Sequence, residues 1–431
     1  MTKVPLSFPQ VCAKMKQAKQ GMRNMGDLIR RFQENKAVKT AVLLFVSLRL
    51  FLTIWAIVSL AINPLPPEPD EQVRPYLGEP ILNEGLTGLL LGPWQRFDTQ
   101  HYIRIARQGY ADPSDSVFPP LYPLLIRLTG SLFGGTPVAY LAAAILIANS
   151  ALLVFLIRFF QLTAVETDEE TAVRALVYLL LFPSAVFLYA AYTEPLFMLL
   201  SLETVWQAKN GRFWRAGLFG FLAALTRLTG WILIVPLFWA CAQSSLSPLP
   251  RTFSTLGNRV RELAKRPNCL ASLLPGLGLI LFLLWRQWLG LPSLATVYAR
   301  YWYQQTGIPG YDILRAAHTI FGKGIARAGE PVLYLDFAIT WLLLITTWLT
   351  FRRLGSIYGL YSAMMLFFML LPTSELKPLY SFDRYALAFF PMFILLGMAG
   401  KRPWLNRIIL YPSLALYLYL SGQFFVWGWA G

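Results

Sequence analysis

The chain has 431 residues, of which 56% are hydrophobic and only 14% are charged, and its formal net charge is +16. This apolarity excludes an ordinary soluble protein of such length and predicts an all-α, polytopic helical membrane protein. The positive charge does not indicate nucleic-acid binding, because it is concentrated between apolar segments, as the positive-inside bias of membrane proteins produces.

Residues 1–39 form a basic segment that we expect to be a cytoplasmic N-terminal tail. It is too long and too charged for a signal peptide, whose apolar region comes early. Residues 40–431 are expected to form a single transmembrane domain. The three cysteines, Cys12, Cys241 and Cys269, are scattered, and their spacing predicts neither a disulfide framework nor a zinc site.

A membrane helix requires roughly 20 predominantly apolar residues. By this criterion the sequence predicts about eleven crossings, at 40–62, 137–160, 172–191, 193–208, 213–228, 230–243, 270–290, 332–351, 356–372, 385–400 and 405–428. With a cytoplasmic N-terminus, the basic stretches at 209–215, 251–266, 352–353 and 401–402 all fall on the cytoplasmic side. The proline-rich segment 118–133 is expected to be re-entrant or interfacial, since a crossing there would invert this arrangement.

The predicted extracytoplasmic side has loops at 63–136, 291–331 and 373–384, and the first of them contains a candidate active site. Residues 98–108 have the periodicity of an amphipathic helix lying at the membrane interface. Asp98 and His101 share one face, and Gln100, Arg104 and Arg107 form a second, polar stripe. Asp98 is a candidate general base, held by His101 or by a neighbouring arginine. The alternative is that Asp98 only caps the helix.

Several stretches of this sequence resemble the PIG-V family of mannosyltransferases, which belong to the GT-C superfamily of multi-span glycosyltransferases. The main one is Arg96-Phe97-Asp98-x-x-His101-Tyr102-x-x-Ile105-Ala106-x-x-Gly109-Tyr110. Four more follow in the family's order: Phe118-Pro119-Pro120-Leu121-Tyr122-Pro123, Tyr192-Thr193-Glu194-Pro195-Leu196-Phe197, Thr226-Arg227-x-x-Gly230, and Arg384-Tyr385…Phe390-Pro391. The departures are modest: Phe97, Pro119 and Thr193 replace the family's usual Trp, Phe and Ser.

The resemblance implies a GT-C-like fold with a large first extracytoplasmic loop that carries interfacial helices. It implies an inverting mannosyltransferase or other hexosyltransferase, which uses a polyprenyl-phosphate or dolichyl-phosphate mannose donor and a lipid-linked or cell-surface acceptor. The catalytic residues would be Asp98 and His101. Donor-phosphate or substrate binding would involve the side chains Arg384, Arg227, Glu194, Arg104, Tyr385 and Tyr192. A single phosphate leaving group can be stabilised by arginines, so we expect no metal and no cofactor.

Other charged residues lie in or near the predicted spans. For Arg286 and Lys377 we favour snorkelling, in which the side chain reaches the headgroups. Glu203 lies deep in a predicted span, where we expect a buried pair with an arginine or a protonated carboxyl. Arg49 is expected to be structural or snorkelling.

Two other functions are compatible with the sequence. A flippase or transporter of lipid-linked sugars would use intramembrane charges such as Arg49 and Glu203. A noncatalytic lipid-binding subunit would keep the fold without the chemistry. The sequence identifies neither the acceptor nor the transferred hexose.

Overall fold

The computed structural model describes residues 35–245, 267–322 and 331–428, apart from residues 67, 69, 71 and 375. Almost all of the predicted cytoplasmic tail, the basic stretch at 251–266 and Cys12 therefore lie outside the described residues.

The described chain is almost entirely helical. In chain order the helices are α1 (Lys36–Ile62), α2 (Gly85–Leu90), α3 (Asp98–Gln108), α4 (Leu121–Leu132), α5 (Pro137–Glu166), α6 (Glu169–Leu180), α7 (Val186–Tyr189), α8 (Glu194–Lys209), α9 (Phe213–Ala224), α10 (Ile234–Ser245), α11 (Pro267–Leu270), α12 (Leu274–Trp288), α13 (Leu294–Tyr301), α14 (Tyr311–Ala317), α15 (Pro331–Arg353), α16 (Ser356–Met369), α17 (Phe382–Tyr385), α18 (Phe390–Ala399) and α19 (Pro403–Phe425). Short 3-10 or π-helical turns occupy Gly92–Trp94, Pro113–Val117, Leu228–Leu233, Ala271–Leu273, His318–Gly322 and Ala386–Ala388.

Five helical segments of the described residues are long and apolar enough to cross a membrane: Lys36–Ile62, Pro137–Glu166, Pro267–Trp288, Val332–Arg353 and Pro403–Phe425. A sixth crossing results if Phe382–Ala388 and Phe390–Ala399, which meet at an 85° bend, form one broken span. The predicted all-α, multi-span fold is confirmed, but the count of eleven is not. The predicted span at 172–191 breaks after Leu180, and the one at 193–208 is the 16-residue helix α8.

Helix α8 lies in the core and carries two buried carboxylates, Glu194 at its start and Glu203 farther along. Glu203 forms an ion pair with Arg158 of α5, and the Arg158 guanidinium lies 3.9 Å from the centre of the Trp206 ring. The expected arginine partner of Glu203 is therefore present. Arg49 has a structural role too, since it donates to the Tyr189 carbonyl at 3.0 Å and lies over Trp94.

A short antiparallel pair of strands, which the sequence did not predict, joins two of the predicted outer loops. Strand β1 (Gln304–Thr306) pairs with β2 (Pro372–Ser374), with Gln304 opposite Ser374. Arg315 of α14 reinforces the connection by donating to Thr373 Oγ1 at 2.9 Å. The second predicted outer loop is thus tied to the segment that leads into α17.

The expectation of no disulfide is wrong for one pair of cysteines. Cys241 in α10 and Cys269 in α11 are bonded to each other, with their Cα atoms 5.7 Å apart. The two residues are 28 positions apart in sequence, and spacing alone does not indicate that their helices meet.

Candidate active site

Four charged side chains with exposures of only 4% to 18%, brought together from distant parts of the chain, form the centre of the candidate site. Arg384 bridges two carboxylates, with its Nη2 2.8 Å from Asp98 Oδ2 and its Nε 2.5 Å from Glu194 Oε1. Arg227 Nη1 lies 2.7 Å from the same Glu194 oxygen. Because the cluster holds two carboxylates and two guanidiniums, its formal charges cancel.

Both carboxylates lie at helix N-termini, where the helix dipole favours negative charge. Asp98 is the first residue of α3, and Glu194 is the first residue of α8. The residue at the N-cap of α3 is Phe97, so the interpretation of Asp98 as the N-cap is wrong. Phe97 has a φ of 47°, which costs a non-glycine residue about 1–3 kcal/mol, so surrounding packing must hold Asp98 in place.

Arg227 is positioned by the tight turn that follows α9. Its backbone is extended, and the chain then enters the 3-10 helix Leu228–Leu233. At Gly230 an added Cβ would lie only 2.3 Å from the Ala224 backbone nitrogen, so only glycine lets this turn fold back on α9. The glycine of the Thr226-Arg227-x-x-Gly230 stretch thus has a direct physical explanation.

Arg384 comes from the bent segment α17, and a buried ion pair anchors the chain next to it. Asp336 of α15 accepts a hydrogen bond from the Asp383 backbone N–H at 3.0 Å, and Lys377 Nζ lies 3.1 Å from the other Asp336 oxygen. Lys377 is therefore buried and paired, and the prediction that it snorkels is wrong. Ser381, just before α17, adopts left-handed backbone angles, another sign that tertiary contacts hold this segment.

Tyrosine rings surround the charged cluster. The Arg384 guanidinium lies 4.6 Å from the centre of the Tyr192 ring, and the Arg227 guanidinium lies 5.5 Å from that of Tyr385. Tyr102 is buried, and its hydroxyl lies 3.2 Å from Thr193 Oγ1. Burial raises the pKa of the Tyr102 phenol, and the negative charges of Asp98 and Glu194 reinforce the rise, so the phenol stays protonated.

His101 does not hold Asp98; it belongs to a second cluster centred on the fully buried Asp115. His101 Nδ1 lies 2.6 Å from Asp115 Oδ1, and Arg104 Nε lies 2.8 Å from Asp115 Oδ2. Since an ionised carboxylate only accepts hydrogen bonds, this contact places the imidazole proton on Nδ1 and leaves Nε2 as an acceptor. The imidazole packs between Phe118 and Trp302, each with its ring centre 5.3 Å away.

Arg104 and Asp112 complete this second cluster. Burial opposes the charge of Arg104, but its hydrogen bond to Asp115 and the negative charges of Asp115, Asp112 and Glu79 together outweigh burial and raise the pKa of the guanidinium. Burial likewise opposes ionisation of Asp112, yet hydrogen bonds from Ser114 and the charge of Arg104 lower the pKa of its carboxyl. The structure thus places Arg104 on Asp115, separate from the four-charge cluster.

One further expectation about the polar stripe of α3 differs from the structure. Gln100 is buried and donates to the Gln95 carbonyl at 3.1 Å, so it is not part of an exposed stripe. Arg107 forms an ion pair with Glu79. Arg286, expected to snorkel, is also buried, with only 3% of its surface exposed.

Asp115 is a site residue that the sequence analysis did not single out. It lies in the 3-10 helix Pro113–Val117, outside the helix that carries His101, so the periodicity of α3 does not relate the two residues. The arrangement as a whole offers a carboxylate held by a bridging arginine, a second arginine, and a histidine oriented by a buried acid. Such groups can accept a proton and stabilise an anionic leaving group.

Comparison with solved structures finds a match of low sequence identity. The structure of ArnT from Cupriavidus metallidurans bound to undecaprenyl phosphate matches with a TM-score of 0.43 and 16% identity, covering 90% of this chain and 76% of that one.

The curated proteins that match include GPI alpha-1,6-mannosyltransferase 2 of Homo sapiens, which is 30% identical over 230 residues, 51% of this chain and 42% of that protein. The Cricetulus griseus protein of the same name is 31% identical over 169 residues, 37% of this chain and 34% of that protein. The matches thus cover less than half of the length of these curated relatives.

The family comparison covers the larger part of the chain. Residues 34–289 match the family described as Mannosyltransferase (PIG-V), a range that includes Asp98, His101, Glu194 and Arg227. With its apolar helices, this chain is an integral membrane protein and belongs to the PIG-V mannosyltransferase family.

Proposed function

We propose that this chain is an inverting membrane mannosyltransferase that transfers mannose from a polyprenyl-phosphate carrier to a hydroxyl of a lipid-linked or cell-surface acceptor. The observation that carries the proposal is the buried cluster of Asp98, Glu194, Arg227 and Arg384, because each of its members comes from a separate stretch that resembles the family. Membership of the PIG-V family over residues 34–289 supports the same reaction.

In the proposed reaction Asp98 accepts the proton of the acceptor hydroxyl. The acceptor oxygen then attacks the anomeric carbon from the face opposite the phosphate, and the bond between that carbon and the phosphate oxygen breaks. The lipid phosphate leaves with the electron pair, and guanidinium groups stabilise its charge. Base assistance of this kind contributes typically about 10²–10⁴-fold to the rate.

In this scheme Arg384 holds Asp98 before substrate enters and binds the donor phosphate afterwards. The phosphate of the donor competes with Asp98 for the guanidinium, so donor binding would free the carboxylate to act as a base. Glu194 keeps Arg384 and Arg227 in place while Asp98 exchanges partners. His101, oriented by Asp115, would hydrogen-bond a sugar hydroxyl through Nε2.

We propose that the N-terminus is cytoplasmic and that the active site faces the other side. Three lysines predicted to be cytoplasmic, Lys36, Lys209 and Lys401, pair with acids between residues 166 and 169, so they lie at the same end of the helices. This grouping supports the sidedness inferred from the positive-inside bias.

A transporter of lipid-linked sugars is less well supported. Its working parts would be intramembrane charges such as Arg49 and Glu203, and both have structural partners, the Tyr189 carbonyl and Arg158 respectively.

The test of the proposed function is donor selectivity in purified protein reconstituted in lipid vesicles. Polyprenyl-phosphate mannose, polyprenyl-phosphate glucose and a nucleotide-linked mannose are offered separately, each radiolabelled, with a membrane-lipid acceptor pool. We expect transfer only from the lipid-linked mannose. Transfer from the nucleotide sugar, or movement of intact lipid-linked sugar across the vesicle without transfer, would contradict the proposal.

A further inference from the structure

Arg286, near the end of α12, is a buried cation without an acidic partner among the described residues. Only 3% of its surface is exposed, and its Nη2 donates to the Pro292 carbonyl at 2.5 Å. Its Nη1 is buried and has no hydrogen-bond partner in the described part of the chain. A buried charge that lacks a partner costs several kcal/mol, so an anion bound here would offset a real energetic penalty.

The buried Arg96 shows what a purely structural arginine looks like in this fold. It is also 3% exposed, but it donates to the carbonyls of Phe425, Gly92 and Gln95 at 3.0 to 3.1 Å. Arg96 is therefore held by its own chain, whereas Arg286 keeps a donor group available for a ligand.

Arg286 lies next to the candidate active site. Trp285, the preceding residue, packs against Tyr110 with ring centres 4.8 Å apart, and the Tyr110 hydroxyl donates to the Phe118 carbonyl at 2.6 Å. Phe118 in turn packs on His101. Burial raises the pKa of the Tyr298 phenol in the neighbouring helix α13, and the positive charges of Arg227 and Arg286 both oppose the rise.

The charges of the four-residue cluster leave room for such a second cation. Asp98 and Glu194 balance the charges of Arg227 and Arg384, so a phosphate that reaches Arg384 adds negative charge that the cluster alone does not neutralise. Phosphate recognition in proteins relies on cationic donors, above all on arginine. Arg286 supplies a charge that no carboxylate of the described residues cancels.

The outer face of α12 is suited to a lipid tail. Leu277, Ile280, Leu281 and Leu284 recur at helical spacing and are 42% to 56% exposed. Arg286 lies in the last turn of this helix, on its buried side. A lipid chain that follows the exposed stripe would therefore bring its headgroup phosphate to the level of Arg286.

We propose that Arg286 forms a subsite for the phosphate of a lipid substrate. The inference rests on the proposed function, in which the substrates are lipid-linked. A polyprenyl-phosphate donor and a phospholipid-type acceptor present the same group, a phosphate ester at the membrane surface, and the experiment distinguishes the two sources.

The experiment measures binding of defined lipids to the full chain in phosphatidylcholine nanodiscs. The probes are polyprenyl phosphate, the matching polyprenol without phosphate, and phosphatidylinositol. Native protein is compared with Arg286→Gln, Arg286→Lys and, as a matched control, Arg353→Gln. Arg353 also lies in the last turn of an apolar helix, but its side chain is exposed.

We expect Arg286→Gln to weaken binding of a phosphate-bearing probe by about tenfold or more, since hydrogen bonds to charged groups contribute about 1.5–3 kcal/mol. Binding of polyprenol and binding by Arg353→Gln should stay unchanged. Loss for polyprenyl phosphate alone assigns the subsite to the donor, and loss for phosphatidylinositol alone assigns it to the acceptor. Unchanged binding of both overturns the proposal.

If Arg286→Gln does not fold, Arg286→Lys decides, because it keeps the positive charge and removes the guanidinium group that carries the unpaired Nη1. A loss of several-fold confined to phosphate-bearing probes supports the subsite, and equal affinity for all probes refutes it. Native protein that binds phosphate-bearing lipid through Arg286 but transfers no mannose would refute the proposed function and leave the subsite standing.

Discussion

Charge balance in the four-residue cluster makes a quantitative prediction for Glu194→Gln. Glu194 is 4% exposed, and its Oε1 lies 2.7 Å from Arg227 and 2.5 Å from Arg384. The neutral amide leaves two buried guanidiniums facing a single carboxylate, that of Asp98. Removing one partner of a buried ion pair costs about 3–5 kcal/mol. Because two arginines lose a partner, we expect the upper end of this range in the free energy of unfolding.

The double variant Glu194→Gln/Arg227→Gln tests whether charge is the cause. It leaves one carboxylate and one guanidinium, so the cluster is neutral again. Contacting residues couple by about 0.5–3 kcal/mol, and we expect the double variant to be more stable than Glu194→Gln by an amount near the top of that range. The assay is equilibrium unfolding in mixed micelles, followed by tryptophan fluorescence.

A second ion pair on the same helix supplies the control. Glu203→Gln breaks the pair with Arg158, in which the Glu203 side chain is 8% exposed and the Arg158 side chain is 32% exposed. Because only one, partly exposed arginine loses its partner, this variant should destabilise the protein less than Glu194→Gln and leave transfer by the folded fraction intact. Strictly additive effects of Glu194→Gln and Arg227→Gln, or a Glu194→Gln variant as stable as the native chain, would refute the charge-balance reasoning.

Four further predictions follow from the same contacts. Arg384→Lys should fold but lose about tenfold or more in transfer rate, because an ammonium cannot reproduce the guanidinium fork that bridges Asp98 and Glu194. Initial rates of mannose transfer measure this loss, and native rates would contradict the bridging role of Arg384. Asp115→Asn and His101→Ala should each slow transfer, and the double variant should be no slower than the slower of the two single variants, because Asp115 acts through His101. Additive losses would show that the two residues act independently. Hydrogen bonds from Lys401 and Thr171 lower the pKa of the Asp168 carboxyl to about 2 from its usual 3.8. Its contribution to the free energy of unfolding is therefore complete above pH 3.8 and is lost as the pH falls to about 2. Asp168→Asn should flatten this part of the plot of unfolding free energy against pH, and an unchanged acid profile would contradict the pairing. Transfer should persist in excess chelator, and a loss that divalent ions restore would contradict stabilisation by arginines alone.

The sequence predicted the class of fold well because hydropathy depends on composition over long windows. It predicted spans poorly where short apolar helices adjoin each other. Helix α6 ends at Leu180, the short helix α7 follows, and α8 starts at Glu194. Most residues of this stretch are apolar, so its hydropathy does not indicate where one helix ends and the next begins. The end of a helix inside a buried core leaves little signal in the hydropathy, because the residues on both sides are apolar.

The resemblance to a family singled out members of the site, but pairing could not be predicted from spacing. Arg384 and Glu194 are 190 residues apart, and only the packing of α8 against the bent segment α17 brings them together. The same limit explains the wrong prediction for Lys377. An arginine or lysine near a span end has the same hydropathy whether it reaches the headgroups or a buried acid such as Asp336.

The most direct test of the central claim compares native protein with Asp98→Asn in mannose transfer from radiolabelled polyprenyl-phosphate mannose. Glu84→Gln, which replaces an exposed acid of the same loop, is the matched control. Native protein and Glu84→Gln should transfer, whereas Asp98→Asn should fold and lose about 10²-fold or more of the turnover. Near-native transfer by Asp98→Asn would contradict its role as the base, and no transfer by native protein from this donor would contradict the proposed reaction.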